Sequence, residues 1–459
     1  MVDLMIKNGM IVSKESIYPG NIAVRNGIVC GIYSDKSELE ATATLDAQGM
    51  LIFPGVIDCH VHLNEPGYTW REDYYHGTKA AAIGGTTTVI DMPLQNTPPL
   101  TDKASFEAKE KAVSANAFVD YCLWGGMIDN NIEKLEELRE CGVVAFKAFL
   151  SPVSEGYTSM DTGLINEAFE KMKTHHVRMG FHCEDYSIIA KREAKLKNKN
   201  SCTWEDYLYT RPLVAEIIAT QNIVSLAKAA KMKVHICHVS HPDVAQIIER
   251  AQLEGVDVTG ETCPHYLMFS EDDLIEKGSL FKCAPPLRSK ENANQLWEYL
   301  ERGVISCVGS DHSPSTSDEK NETERGVMGV WGGISGMQHL LPIMYREAVV
   351  RRGFSPSLIT KVLCEGPAKA FGIYGKKGDI ALGFDADFVI FDPKKPWQVT
   401  EESLMYKNRL TAFLGQEGIG CPVKTILRGQ VVMENDQVRI EQGYGKLIRR
   451  ELSIAEATR

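Results

Sequence analysis

The stretch GVIDCHVHLNEPG, residues 55–67, places two histidines one residue apart at the end of an apolar run. Side chains alternate between the two faces of a strand, so we expect His60 and His62 on one face and Cys59 and Val61 on the other. Two imidazoles on one face fill a core poorly and suit a metal ion. The stretch therefore predicts a strand that delivers metal ligands at its end.

Seven further apolar runs follow the first, and helical stretches separate most of them. The eight strand candidates are residues 51–62, 86–92, 120–125, 143–149, 177–182, 233–239, 256–261 and 304–310. Strand–helix alternation on this scale predicts an α/β fold, and eight units indicate a closed (β/α)8 barrel of the TIM type. A doubly wound open sheet is the alternative, but no G-x-G-x-x-G follows the first strand.

Both ends of the chain are rich in β-forming residues. Asn-Gly pairs interrupt the apolar runs of the first fifty residues, which is a hairpin signal. The segments GDIALGFDADFVIFDP (378–393) and VKTILRGQVVMEN (423–435) have a similar character. We expect the two ends to pair into a smaller β-sandwich domain, residues 1–52 plus 376–459, beside a barrel domain of residues 53–375.

The composition is typical of a soluble globular protein, with 459 residues, 44% hydrophobic and 24% charged. A net charge of −11 argues against nucleic acid as the partner, and no uninterrupted apolar run reaches the ~18 residues of a membrane span. The first residues lack the pattern of a signal peptide, and the twelve cysteines include no C-x-x-C pair. We therefore expect a cytoplasmic protein with reduced thiols that binds neither nucleic acid nor membrane.

A barrel of this type carries its chemistry at the carboxyl ends of its strands. The polar residues expected there are His60, His62, Lys147, His182, His238 and Asp311. Taken singly, each has an ordinary structural explanation, such as a hydrogen-bonded histidine, a salt-bridged lysine or a capping aspartate. Together, imidazole and carboxylate groups suit zinc, manganese, cobalt or iron. The lysine would become a two-oxygen anionic ligand, able to bridge two ions, if carbon dioxide converted it to a carbamate.

The sixth strand candidate contains two histidines of opposite parity, His235 and His238. Strand alternation predicts that one of them faces the helices. We favour His238 as the ligand because it lies closer to the carboxyl end of the strand.

These residues lie in motifs that resemble those of the cyclic amidohydrolases, a group of the amidohydrolase superfamily that includes dihydroorotases, hydantoinases and allantoinases. The matching motifs are PGVIDCHVHLNEPG, GGTTTVIDMP, FKAF, FHCED, CHVS, TCPHY, GSDHSP and KGDIALGFDADFVIFDP. The resemblance implies a barrel with two divalent metal ions, zinc being the first choice, bridged by N6-carboxylated Lys147. It implies that Asp311 is both a ligand and the catalytic acid/base. The histidine ligands that it implies are His60 and His62 on the ion of Asp311, and His182 and His238 on the other.

Two departures from the motifs select a branch of this group. Dihydroorotases carry an arginine two residues after the second histidine, where it holds the substrate carboxylate, and here that position is Asn64. Hydantoinases and dihydropyrimidinases usually carry a tyrosine five residues after the bridging lysine. Here that position is Pro152, although Tyr157 could substitute for the tyrosine.

The segments MPLQNTPP, KCAPPLR and WGGISGMQ resemble their counterparts in allantoinases. The resemblance therefore implies hydrolytic ring opening of (S)-allantoin to allantoate. A hydantoinase or dihydropyrimidinase is the alternative, and a non-enzymatic scaffold relative is a more distant one. Relatives are commonly tetramers, so the resemblance also implies a homotetramer.

A neutral, amide-rich substrate calls for backbone groups and small polar side chains. The candidates are Asn96 and Ser313, with Gly332 and Gly333 allowing close approach of the backbone. Asn96 could equally be a turn residue, and the glycines could serve only their loop. His265 follows the seventh strand candidate, and we expect it to orient a ligand or a loop.

Overall fold

The computed structural model describes residues 1–34, 39–151, 153 and 156–450. Its first five strands belong to a sheet outside the barrel. They are β1 (Val2–Val12), β2 (Ile17–Arg25), β3 (Ile28–Tyr33), β4 (Ala41–Asp46) and β5 (Leu51–Pro54). β1 pairs antiparallel with β2, and it pairs in parallel with β4 and β5 at its two ends. Asn26 and Gly27, both with positive φ, form the turn between β2 and β3, as the Asn-Gly signal predicts.

Eight parallel strands form the barrel, one for each predicted run. They are β6 (Val56–Val61), β7 (Thr86–Asp91), β8 (Asp120–Gly126), β9 (Ala145–Phe149), β10 (Arg178–His182), β11 (Lys233–Ile236), β12 (Val258–Thr262) and β13 (Cys307–Val308). They neighbour one another in chain order. The His62 N–H donates to the His312 carbonyl at 2.8 Å and joins the two outer strands. The sheet is therefore a nearly closed barrel, and the predicted fold class is confirmed.

The first predicted run, residues 51–62, is divided between the two sheets. β5 pairs with strands of the outer sheet and β6 pairs with β7 of the barrel. Gly55 lies between them, and a Cβ on it would stand 2.1 Å from the Thr87 Oγ1 atom. The absence of a side chain therefore lets the chain pass close to β7 as it changes sheets.

Helices separate most of the barrel strands and pack around them. They are α1 (Tyr74–Ile83), α2 (Lys103–Val113), α3 (Leu135–Glu140), α4 (Thr162–Met172), α5 (Tyr186–Leu196), α6 (Trp204–Thr210), α7 (Leu213–Ala230), α8 (Pro242–Leu253), α9 (Pro264–Met268), α10 (Glu271–Lys277), α11 (Lys290–Glu301), α12 (Glu322–Gly329), α13 (Leu340–Tyr345), α14 (Ser357–Thr360) and α15 (Gly366–Ala370). Phe371, directly after α15, contacts the rings of Trp124 and His235 inside the barrel. Aromatic and imidazole rings therefore fill part of the barrel interior.

One stretch, Trp204–Ala230, is long and apolar enough to cross a membrane by length and composition alone. It comprises α6 and α7. Ala219, Ile223 and Ala227 of α7 are fully buried in the core that the helices share with the barrel. In the folded chain, α7 is therefore part of the helical layer around the strands.

The last four strands are β14 (Phe388–Gln398), β15 (Glu417–Leu427), β16 (Gln430–Glu434) and β17 (Gln437–Val438). The main path of the outer sheet runs β17-β16-β15-β14-β5-β1-β2-β3, so both chain ends share one mixed sheet, as predicted. The chain then returns to the barrel, where Leu447 bridges to Tyr121 of β8. The predicted domain limits at residues 52 and 376 stay predictions.

Candidate metal centre

Three of the predicted ligands meet where the first and last barrel strands end. The Nε2 atoms of His60 and His62 lie 3.2 and 3.3 Å from the Asp311 Oδ1 atom. The ligand atoms of the three side chains all lie within 4.8 Å of one another. Asp311 has a φ of 47°, a conformation that non-glycine residues adopt rarely and often at functional sites. The three residues form a candidate metal site.

The other two predicted histidines form a second group beside the first. The Nδ1 atom of His182 lies 3.1 Å from the Nε2 atom of His238, and the His238 ring centroid lies 5.4 Å from that of His60. The Nε2 atom of His182 lies 2.7 Å from a carboxylate oxygen of Glu184, which also pairs with Arg211. Two ligand groups therefore stand side by side.

Lys147 lies between these groups on β9. Its side chain is fully buried, and its Nζ atom has no hydrogen-bond partner among the described residues. The Nζ atom lies 4.9 Å from the centroid of the Phe149 ring. A buried ammonium group without a partner is costly, so this position calls for a further group on or beside Nζ. All six predicted ligands line one cleft of about 350 Å³.

Glu261, at the end of β12, is a buried carboxylate that the sequence analysis missed. It accepts hydrogen bonds from the His60 ring, the His235 ring and the His238 backbone N–H, and the Cys59 thiol lies 3.4 Å away. Because Nδ1 of His60 is bonded to Glu261, the Nε2 atom of that ring faces Asp311 and is available to a metal ion. Glu261 sits in the strand VTGET without a neighbouring ligand in sequence, so no spacing signal marked it.

The charges around His60 show what this site accommodates. Burial opposes a charge on the ring, but the carboxylates of Glu261 and Asp311 raise the pKa of His60 to about 10. Burial would likewise raise the pKa of Asp311, but His60 and the hydrogen bond with His62 hold it well below its usual range. The protein therefore holds a positive charge between two carboxylates, and a metal cation there would replace the ring proton.

The expectation that one of His235 and His238 faces the helices is wrong. β11 ends at Ile236, and His238 has a φ of 38°, so strand alternation does not extend to it. Both rings lie inside the barrel, because His235 bonds Glu261 and His238 contacts His182. Of the two, His238 lines the cleft, as we favoured.

The expectation that Cys59 faces away from His60 is also wrong. The register of β6 against β7 shifts between Asp58 and Val61. The direct neighbours Cys59 and His60 both reach Glu261 as a result.

The predicted substrate residues occupy two different settings. Ser313 and Gly332 line the cleft, and a Cβ on Gly333 would stand 2.4 Å from the Ser313 Oγ atom. Asn96 is buried beside the cleft, where its amide donates to two carbonyls of its own loop and accepts a hydrogen bond from Lys109 at 2.9 Å. The substrate roles of all four residues stay predictions.

The remaining sequence predictions concern His265, Pro152 and Tyr157. His265 is buried, and one of its ring nitrogens lies within 4.8 Å of ligand atoms of Cys263 and Asp311; its orienting role stays a prediction. Pro152 lies outside the described residues. The Tyr157 hydroxyl donates to the Lys147 carbonyl at 2.6 Å, so this phenol supports the strand that carries the lysine.

Comparison with known proteins agrees with this geometry. Residues 51–432 match the model of the amidohydrolase family. A curated allantoinase of Escherichia coli is 38% identical over 448 residues, which cover 96% of each chain. The solved L-hydantoinase (dihydropyrimidinase) of Arthrobacter aurescens is 34% identical, with a TM-score of 0.94 over 98% of this chain and 100% of its own. The dihydropyrimidinase of Brevibacillus agri NCHU1002 is 28% identical, with a TM-score of 0.90 over 98% of each chain. The chain belongs to the amidohydrolase family.

Proposed function

We propose that this protein opens the ring of (S)-allantoin by hydrolysis and forms allantoate. The observation that carries the choice of substrate is the 38% identity, over nearly the whole of both chains, with proteins named allantoinase. The convergence of four histidines, a lysine and an aspartate in one cleft supports hydrolysis of an amide bond.

The proposal includes two divalent metal ions, zinc or else manganese, cobalt or iron. His60, His62 and Asp311 would hold one ion, and His182 and His238 the other. Lys147 would bridge them as a carbamate. In that step its neutral Nζ forms a bond to the carbon of CO2 and releases one proton, which replaces a buried, unpartnered amine by an anionic ligand.

Ions bound in this manner lower the pKa of a water molecule and polarise an amide carbonyl. Asp311 begins ionised, which its low pKa favours. Its carboxylate takes a proton from the water as the water oxygen bonds to the ring carbonyl carbon. Asp311 then gives that proton to the ring nitrogen as the carbon–nitrogen bond breaks. The carboxylate is thereby restored and one water is consumed per ring opened.

The charges of the cleft support a neutral substrate. Arg71 and Arg211 line the cleft, but each is already paired, with Glu319 and Glu184 respectively. Arg325 also lines the cleft, and its Nε atom donates to the Asp318 carbonyl at 2.7 Å. Asn64 donates from its amide to the His62 carbonyl at 3.2 Å and offers no guanidinium fork. A substrate carboxylate would therefore lack the bidentate partner expected of a dihydroorotase. The ureido group of allantoin would instead meet Ser313 and the peptide groups of Gly332 and Gly333.

The test compares four substrates on one preparation of metal-loaded protein supplied with bicarbonate. Ring opening of allantoin, hydantoin, dihydrouracil and dihydroorotate is measured side by side. We expect rapid turnover of allantoin alone. Faster turnover of hydantoin or dihydrouracil would assign the chain to the second candidate, which the structural likeness to hydantoinases favours.

Lys147→Ala serves as the matched control for the metal site. This variant should lose metal and activity together and recover part of both with added short carboxylic acids. Recovery without any acid would contradict the carbamate. A wild-type protein that binds no metal and turns over none of the four substrates would favour a non-enzymatic scaffold. The proposal also includes a cytoplasmic homotetramer, which sedimentation of the purified protein would test for its subunit number.

A further inference from the structure

Two lysines at one side of the cleft, Lys282 in its lining and Lys320 behind it, are buried without an acidic partner. Lys282 is 5% exposed and Lys320 is 8% exposed. Within the described residues, no carboxylate lies within ion-pair distance of either Nζ atom. Lysine is rarely buried unless it is paired, so these two positions require an explanation.

Both ammonium groups are bonded to backbone carbonyls instead. Lys282 donates to the carbonyls of Val327, Met328 and Val330 at 2.8–2.9 Å. Lys320 donates to those of Ser279, Trp331 and Gly333 at the same distances. We call residues 327–333 the wall segment, because it contains five successive residues that line the cleft, Met328 to Gly332.

The backbone of the wall segment is rich in glycine. It follows Gly326, which breaks α12 with a φ of 65°, and it contains three glycines of its own. Five of its seven carbonyls are held by the two lysines. Its other contacts include the Trp331 N–H to the Glu319 carbonyl at 2.7 Å, the guanidinium of Arg71 over the Trp331 ring, and the packing of Val330 in the main hydrophobic core.

The hydrogen-bond geometry requires the charged form of each lysine. An ammonium group has three N–H donors, and each Nζ atom here faces three carbonyl oxygens, which only accept. A neutral amine would turn a lone pair toward one of these oxygens and leave that carbonyl without a donor.

We propose that Lys282 and Lys320 are positioning residues that hold the wall segment in the shape that binds the cyclic amide. The chemical identity of the ligand rests on the proposed function. The positioning of the segment by the two lysines does not depend on it.

The charge balance adds a dependence on pH. Burial lowers the pKa of Lys320 to about 7 and that of Lys282 to about 8. The charged and titratable groups that face the two lysines are Cys283, Glu319, Glu322, Arg211, Glu193 and Tyr207, whose ring centroid lies 4.8 Å from the Lys282 Nζ atom, together with the lysines themselves. Below these pKa values both lysines are protonated and carry three N–H donors. As the pH rises through them, each lysine loses a donor, so KM for the cyclic amide should rise while kcat changes little.

The experiment uses the full-length, metal-loaded protein and three variants, Lys282→Met, Lys320→Met and Lys290→Met. Lys290 is the matched control, because it is exposed and donates to the Met268 carbonyl at 2.6 Å, away from the cleft. We expect each cleft variant to raise KM by about tenfold or more and to leave kcat within about threefold, since a charged hydrogen-bond donor to the binding surface is lost. Metal content should not change, and the control should match the wild type.

Hydrogen exchange supplies a readout that needs no turnover. Amide exchange of residues 327–333 should accelerate in both cleft variants and not in Lys290→Met, because the lost bonds release the segment. Unchanged exchange and unchanged KM would overturn the proposal. If a methionine variant fails to fold, the test uses Lys320→Arg and the pH dependence of KM in the wild type. A wild-type KM that stays flat from pH 6 to pH 9 would overturn the proposal. Accelerated exchange in a protein that opens no cyclic amide would support the positioning role and reject the proposed function.

Discussion

Clusters of possible metal-ligating side chains lie at both ends of the barrel, and they differ in whether the protein supplies a cation for them. At the carboxyl end, Asp311 meets His60 and His62. Where β8 begins, oxygens of Asp120, Asp385 and Asp387 also lie within 4.8 Å of one another. Lys377 occupies that second group, with its Nζ atom 2.7, 2.8 and 2.7 Å from the three carboxylates.

The second group is therefore filled by the protein itself. Burial would lower the pKa of Lys377, but the three carboxylates raise it above its usual range, so the ammonium charge is permanent there. At the first group, ring nitrogens of His62 and His238 and the Nζ atom of Lys147 have no partner in the described part of the chain. Close spacing of ligand atoms is thus not sufficient for a metal site, because a cation of the chain itself already neutralises the second group.

The largest effect on activity is expected from Asp311→Asn in the candidate metal site. An amide cannot carry the proton from water to the ring nitrogen, and loss of the proton carrier typically costs ~10²–10⁴-fold in rate. Metal content and the midpoint of thermal unfolding should stay near the wild-type values. A variant that keeps more than a tenth of the activity would contradict the role of Asp311.

Lys377→Met should instead affect stability. It leaves buried carboxylates without their shared cation, and breaking a buried ion network in this manner typically costs about 3–5 kcal/mol of unfolding free energy. Denaturant titration measures the loss, and activity per folded molecule should be unchanged. Lys376→Met is the control, because that neighbouring lysine is exposed. Loss of metal from Lys377→Met would show that the two groups are not independent.

Glu261→Gln tests whether Glu261 supports the candidate metal site. The glutamine side chain keeps the shape but turns an amide donor toward one of the groups that donate to Glu261. Loss of such a supporting carboxylate typically weakens metal binding by about 10–100-fold, which titration of metal-free protein measures. Cys59→Ala removes only the weak thiol contact at 3.4 Å and should bind metal normally. Equal metal affinity in Glu261→Gln and the wild type would remove Glu261 from the site.

These expectations show how far the sequence alone could lead. His60, His62 and Asp311 could be predicted because strand ends in a parallel barrel converge, whatever the details of packing. The placement of Cys59 on the side of His60, and of His238 on the side of His235, could not, because they depend on a register shift in β6 and a positive φ at His238 that no spacing encodes.

Other parts of the site depend on contacts between distant segments. The role of Glu261 could not be predicted, because the groups that donate hydrogen bonds to it come from other strands. Lys282 and Lys320 bond backbone carbonyls, which are the same in every residue and leave no trace in the sequence.

The smallest effects concern two adjacent residues, Gln95 and Asn96, one with an unsatisfied polar atom and the other with a satisfied amide. Gln95 lines the cleft, and its Oε1 atom has no partner among the described residues, whereas the Asn96 amide is fully engaged. Gln95→Ala should raise KM by about two- to tenfold through one lost hydrogen bond, with unchanged unfolding free energy. Asn96→Ala should lower the unfolding free energy by about 1–3 kcal/mol, since the Lys109 ammonium and the loop carbonyls lose a buried partner, and it should leave KM nearly unchanged. If Asn96→Ala raises KM and leaves stability intact, the asparagine is a substrate contact after all, and a side chain that the resting protein satisfies must exchange its partners when the substrate binds.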